Sequence, residues 1–232
     1  MKHKVLTILL TVSVFLFVLT AAICVPILFR PFYYWQIKAL DIEFNSGFDY
    51  QTIITAFNDL MNYLLLNAPF QTGTLAWSED GKSHFADCKV IFWIIIVLAI
   101  VSLAASIVLL ILRKKGRFEF RTFQGHSLGF YLGIAVFVIL TVVLVWGLID
   151  FQSLFKTFHS VFFPGKDNWV FDMDADQIIL ILPEQFFINC AIFIGGVFLL
   201  FCASCIVEDT VRRHRQHSGK KNNYRIISEL KI

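Results

Sequence analysis

Four apolar runs, Val5–Phe29, Val90–Leu112, Leu128–Ile149 and Phe186–Val207, contain no Asp, Glu, Lys, Arg or His. Each is long enough to cross a hydrocarbon core about 30 Å thick, which takes about 20 residues of helix. A chain of 232 residues has no soluble core able to hide four such segments. It therefore reads as an integral membrane protein with four transmembrane α-helices. Composition agrees: 57% of residues are hydrophobic and 16% charged, against about 45–50% and about 25% in a typical globular chain. Disorder, which needs low hydrophobicity and high net charge, is excluded on the same ground.

The first run follows Lys2 and Lys4, and Thr20-Ala21-Ala22 resembles a weak cleavage site. Its apolar length exceeds the roughly 7–15 residues of a signal core, so it reads as an uncleaved anchor. Leu19–Cys24 has the look of a lipoprotein processing box, but Ile23 stands where a small residue is needed before the cysteine. Orientation follows from the flanks. Residues 1–4, 113–127 and 208–232 carry fourteen Lys/Arg and four Asp/Glu, whereas 30–89 and 150–185 carry six and thirteen. The positive-inside rule places the first group in the cytoplasm and the second outside.

The two outer segments hold whatever chemistry the chain performs. Pro31–Trp35 is an aromatic cluster of the kind found at membrane interfaces. Leu40, Ile42 and Phe44 alternate with Asp41 and Glu43, and Phe171, Met173 and Ala175 alternate with Asp172, Asp174 and Asp176. Period two predicts two strands, which together with an amphipathic helix over Ile53–Leu65 would form a small extracellular α+β cap. Glu79-Asp80-Gly81 reads as a turn, and Ser83 as the cap of a helix entering the second span. Phe151–Phe163 reads as a continuation of the third span, ended by Pro164-Gly165. There is no internal repeat, no glycine-rich phosphate loop and no Gly-x-Ser-x-Gly elbow.

The six histidines sort by side. His3, His126, His214 and His217 fall in the inner basic flanks; His84 and His159 alone lie outside, each within about ten residues of a span. His84, Asp87 and Cys88 share a helical face, as do Gln152, Lys156 and His159. For one isolated histidine the bland reading of an interfacial polar residue holds; ionisable groups near bilayer depth are usually functional, and two at matching depth among phenylalanines bring the functional reading level with it. No metal is expected, because no His-x-x-x-His or Cys-x-x-Cys lies on the outer side. Cys202-Ala203-Ser204-Cys205 has redox spacing but sits within the fourth span, where small residues serve helix packing. Five scattered cysteines give no disulfide framework.

Ser83-His84-Phe85-Ala86-Asp87-Cys88-Lys89 beside the second span resembles a His-Met-x-Asp-Val motif. Phe158–Phe163, Trp169 and Leu182–Phe187 follow in order. With the four spans and the large first outer loop, the chain resembles the lipoprotein intramolecular transacylases of Gram-positive bacteria. Phe85 and Cys88 stand where that pattern has Met and Val. The resemblance implies an enzyme that takes diacylated lipoproteins as substrate. It would move the sn-2 acyl chain of a diacylglyceryl lipoprotein to the α-amino group of its N-terminal cysteine, leaving the lyso form. It implies His84 as base, His159 as acid or oxyanion partner, or the reverse, with Asp87 and Lys156 in support. Membrane lipids are the surroundings; no cofactor and no nucleic acid are expected. A four-span adaptor or pH sensor is the rival reading, and a transporter a weaker one, since the spans hold no midplane site.

Overall fold

The computed structural model describes residues 2–229, with side chains described to residue 216; Met1, residues 230–232 and the His217 side chain lie outside the described residues. The order is α1 (Lys2–Leu28), α2 (Pro31–Ala39), α3 (Ile42–Ser46), α4 (Tyr50–Leu66), α5 (Glu79–Lys114), α6 (Leu128–Ile149), α7 (Phe151–Phe162), α8 (Ile178–Ile181) and α9 (Glu184–Glu229). Four helices are long and apolar enough to cross a membrane, namely α1, α5, α6 and α9.

Between apolar helices in lipid, small and polar residues set the packing. Helix α1 lies along α5, where Ser106 Oγ donates to Ser13 Oγ at 3.1 Å. Helix α6 lies along α9, where a Cβ on Gly133 would stand 3.1 Å from the Cys202 carbonyl. Phe15 of α1 meets Phe198 and Phe201 of α9 edge-on and closes the bundle over the buried Cys202. Cys202 is therefore part of the helix seam. Large side chains such as Ile100, Val101, Val138, Ile139 and Val142 remain exposed on the outside of α5 and α6, as a lipid-facing surface requires.

Beyond the spans, α2, α3, α4 and α8 share one core. Ile53, Phe57, Leu60 and Leu64 recur at helical spacing and bury one face of α4 against Tyr33, Ile37, Ile42, Ile178 and Ile181. Asp49 caps α4 by accepting from Thr52 N. Tyr33 stacks on Phe57 at 3.8 Å, and its hydroxyl donates to the Ile181 carbonyl at 2.7 Å, tying the first outer segment to the second. The expected α+β cap is not there, since both alternating segments are strand-free. At Leu40–Phe44 the chain turns at Asp41, whose φ is 49°, and enters α3. Ile42 is 1% exposed and Phe44 89%, so the hydrophobic alternation does not mark one buried face. At Phe171–Ala175 the aspartates bond locally: Asp174 N donates to Asp172 Oδ1 and Asp176 N to the Asp172 carbonyl. Aspartate offering its own backbone such partners favours turns over a ladder.

Two further expectations are corrected. Glu79-Asp80-Gly81 is the first turn of α5, not a loop, and the cap is Ser78 rather than Ser83. Helix α7 does not continue α6. The backbone breaks at Asp150, whose side chain accepts from Ser153 N at 2.9 Å and starts a separate helix.

The outer end of α5 is pinned by Asp176. Its buried carboxylate accepts from Ser78 N at 2.8 Å and from Ser78 Oγ, while Ser78 Oγ accepts from Gly81 N. An anion there also suits the helix dipole. A Cβ on Gly81 would lie 2.1 Å from Asp176 Oδ1. Gly81→Ala should therefore expel the carboxylate and destabilise the protein by about 1–3 kcal/mol. Gly196→Ala, with nothing within 4 Å, should be near neutral. Thermal unfolding in detergent compares the two.

Candidate active site

Helix α5 runs 36 residues without interruption. Its charge-free part is Val90–Leu112, and the turns that precede that run carry Ser83, His84, Asp87 and Cys88. Helix α7 brings His159 to the same place. The two imidazole centroids are 5.8 Å apart, with the rings 33° from parallel, and both residues are buried. Their walls are aromatic. His84 is 4.8 Å from Phe163 and 5.5 Å from Phe171; His159 is 4.0 Å from Phe155 and 4.6 Å from Trp169.

Such walls desolvate an imidazolium, which disfavours the charged form. Burial pushes His84 down to about 4, and a charge on His159 would push it further; Asp87 opposes, Lys166 adds a lowering, and Asn168 opposes. Burial likewise lowers His159, against the raising effect of its bond to Phe155. His159 Nδ1 donates to the Phe155 carbonyl at 2.8 Å, which leaves the lone pair on Nε2. His84 Nε2 faces Cys88 Sγ at 3.4 Å. Burial, then the Asp87 charge, push that thiol up to about 12, so it is a donor and not a thiolate.

Asp87 does not hydrogen-bond His84. Both its oxygens accept from Lys166 Nζ at 2.6 Å, and Asn168 Nδ2 lies 3.3 Å from Oδ2. The Lys166 ion pair holds the Asp87 carboxyl below the usual range. Lys156 is exposed on α7, and the cation that reaches the α5 turn is Lys166. Asn168, Lys166 and the aromatic wall at Phe163 and Phe171 are site components that sequence reasoning missed. Lys166 and Asn168 follow the Pro164-Gly165 break that turns the chain back over α5, and no local pattern singles them out. On the opposite side of the bundle, His126 pairs with the buried Asp209 at 2.6 Å, and Arg212 and Arg213 complete a cluster that holds the 113–127 loop against α9.

The unfolded chain protonates a histidine near pH 6.5, whereas the native site resists it. The unfolded state thus binds more protons between about 6.5 and 4, and stability rises with pH across that window. The thermal midpoint should be flat above pH 6.5 and fall as the pH drops toward 4, and His84→Phe should shrink that fall. A variant curve lying on the wild-type one would show that His84 burial does not carry the linkage.

Comparison with known proteins gives one family match, described as "Lipoprotein intramolecular transacylase Lit", over residues 8–187. The chain is also similar to the in meso structure of the membrane integral lipoprotein intramolecular transacylase Lit from Bacillus cereus. Identity is 24% over 95% of this chain and 98% of that one, with a TM-score of 0.76. Two structures of that Bacillus cereus protein with a histidine replaced, by arginine in one and alanine in the other, each match at 23% identity and a TM-score of 0.71. They cover 93% and 92% of this chain and 95% and 96% of theirs. At this identity the likeness shows a shared membrane-integral fold. No curated protein sequence matches significantly.

Proposed function

The chain belongs to the lipoprotein intramolecular transacylase Lit family, and from that premise we propose that His84 and His159 carry out its acyl transfer by acid/base catalysis. The substrate is a lipoprotein whose N-terminal cysteine bears a diacylglyceryl group. The α-amine attacks the sn-2 ester carbonyl, the C–O bond to glycerol breaks, an amide forms and the glycerol oxygen takes up the proton the amine has lost. The product is the lyso form. The observation that carries the reading is the meeting of two buried imidazoles from separate helices in one aromatic box.

Each half of the reaction needs a proton moved, one from the amine and one to the leaving oxygen. A positioned histidine typically contributes about 10²–10⁴-fold to such a step. Both rings are neutral near pH 7 and can accept. His84 takes the amine proton, which passes to Nε2 of His159; that ring, now charged, steadies the oxyanion and gives the proton to the glycerol oxygen, and exchange of the two roles preserves the balance. A charge on His159 disfavours one on His84, so the pair carries one proton at a time, which is what the reaction transfers. Amine and ester sit in one molecule, so the site acts chiefly by holding them. Well-oriented intramolecular groups reach effective molarities of about 10⁵–10⁸ M. Asp87 and Lys166 form a polar rim at the mouth. Lys156, exposed one turn before His159, is the supporting cation on α7, toward the developing oxyanion.

The spans are placed at 5–29, 90–112, 128–149 and 186–207 of the bacterial plasma membrane. Residues 1–4, 113–127 and 208–232 then lie in the cytoplasm, and 30–89 and 150–185, with the site, face outward. The partition of Lys/Arg supports this. A reporter fused after Ile232 should be active only inside the cell; activity outside would invert the arrangement.

Cys88 beside His84 has the geometry of a nucleophile pair, and an acyl-Cys88 intermediate is the second reading. Mass spectrometry of a co-expressed diacyl lipoprotein decides. His84→Ala and His159→Ala should each remove most lyso-form product, with the double variant little worse than either. Cys88→Ala and Ser160→Ala should retain substantial activity, because aminolysis needs no enzyme nucleophile. An inactive Cys88→Ala, with acylated Cys88 trapped in the wild type, would replace the one-step mechanism. Wild-type product from both histidine variants would remove the pair from the chemistry.

A further inference from the structure

Two buried side-chain atoms have no hydrogen-bond partner among the described residues, Nδ1 of His84 and Oδ1 of Asn168. Such atoms are rare and costly in a dry interior. They belong to one place. Asn168 Nδ2 lies 3.3 Å from both Ser83 Oγ and Asp87 Oδ2, and those two residues bracket His84 on α5. The carboxylate also fixes the amide's orientation, because only the NH₂ end can face Asp87. The carbonyl end is then the one turned into the buried side. Asn168 acts on His84 in the sense of a hydrogen-bonding neighbour, opposing the effect of burial.

We infer that Asn168 is a positioning residue for His84: its amide oxygen takes the Nδ1 proton, and Nε2 becomes the nitrogen that receives the substrate's proton. The inference rests on the reading of His84 as an acid/base group. The contact is not made in the resting structure; once Oδ1 turns onto Nδ1 in this tautomer, every polar atom of the cluster has a complementary partner. Nδ1–H meets Oδ1, the amide NH₂ meets Ser83 and Asp87, and Asp87 meets Lys166. The protonated Cys88 thiol donates to Nε2 until substrate displaces it. In the other tautomer two lone pairs oppose each other at Nδ1 and Oδ1, and Nε2–H is left with sulfur, a weak acceptor. His159 already shows the same arrangement, with Nδ1 bound to a carbonyl and Nε2 free. Both rings then present Nε2 to one reacting group.

Nitrogen-15 NMR of histidine-labelled protein in lipid nanodiscs reads the tautomer, with His84→Ala identifying the signal. The wild type should show His84 protonated at Nδ1. Asn168→Ala should mix the tautomers and lower kcat about 10–100-fold, the cost typical of losing a group that orients a functional histidine, with KM little changed. Asn168→Asp keeps the acceptor oxygen; it should restore the Nδ1–H signal and move the acid limb of the rate profile to higher pH. An Nε2–H signal in the wild type, or unchanged kcat in Asn168→Ala, overturns the inference. If Asn168→Ala does not fold, the wild-type signal alone decides. A wild type with the expected signal but no lyso-form product would instead overturn the acyl-transfer reading and leave the tautomer standing.

Discussion

The site depends on the buried carboxylate of Asp176 at the N-terminus of α5. A transmembrane helix that ended at the interface would leave four N–H groups unpaired and fray there. Ser78 and Asp176 supply acceptors and donors for that end, and Gly81 leaves the room they need. The helix therefore stays formed for about three turns before Val90, and His84 has a fixed height above the charge-free run. Asp176 also opens the turn into α8, whose Ile178 and Ile181 enter the same core as α4. One interaction thus sets both the reach of α5 and the seat of the outer helices.

Several influences compete at His84, and burial wins, with a charge on His159 acting in the same direction. Asp87 lies one helical turn away and would favour the imidazolium, but Lys166 is bonded to both its oxygens at 2.6 Å. Seen from His84 that pair is close to a dipole, and its two opposed effects largely offset. Asn168 supplies a further modest raising effect. The rings of Phe163 and Phe171 remain, excluding the water an imidazolium needs. The proposed acyl transfer would call for such a neutral imidazole, since a charged one would repel the ammonium form of an amine and could accept nothing. The rim pair keeps charge at the mouth without charging the interior.

Much of this was legible in the sequence, for physical reasons. Charge-free runs of more than 20 residues have few alternatives to spanning, and the period of Ile53–Leu64 selects one helical face. The two outer histidines were legible as a pair because each sits at a fixed offset from a span end. The strands at Leu40–Phe44 and Phe171–Ala175 were misread. Period-two alternation over five residues is equally compatible with a helix entry or an Asx turn, and aspartate supplies partners that make the turn preferable. Ser78, Asp176, Lys166 and Asn168 were illegible for a different reason. Their roles arise from contacts between segments about 80–100 positions apart, on which local pattern is silent.

Phe85 and Cys88, the two departures from the expected motif, have local consequences that can be argued separately. Phe85 is buried and lies over Phe171 at 5.6 Å and Phe70 at 6.0 Å. It joins the aromatic wall behind His84 to the outer core, a rigid planar contact where a flexible methionine would pack more loosely. Cys88 is polar where an aliphatic residue was expected, and it faces Nε2 of His84. A thiol held near 12 donates weakly. It satisfies Nε2 at rest only weakly, and on the proposed mechanism would yield to an incoming amine more readily than a hydroxyl at the same place. The departures therefore alter how the box is walled and how its base is occupied at rest. They leave the meeting of the two imidazoles unchanged.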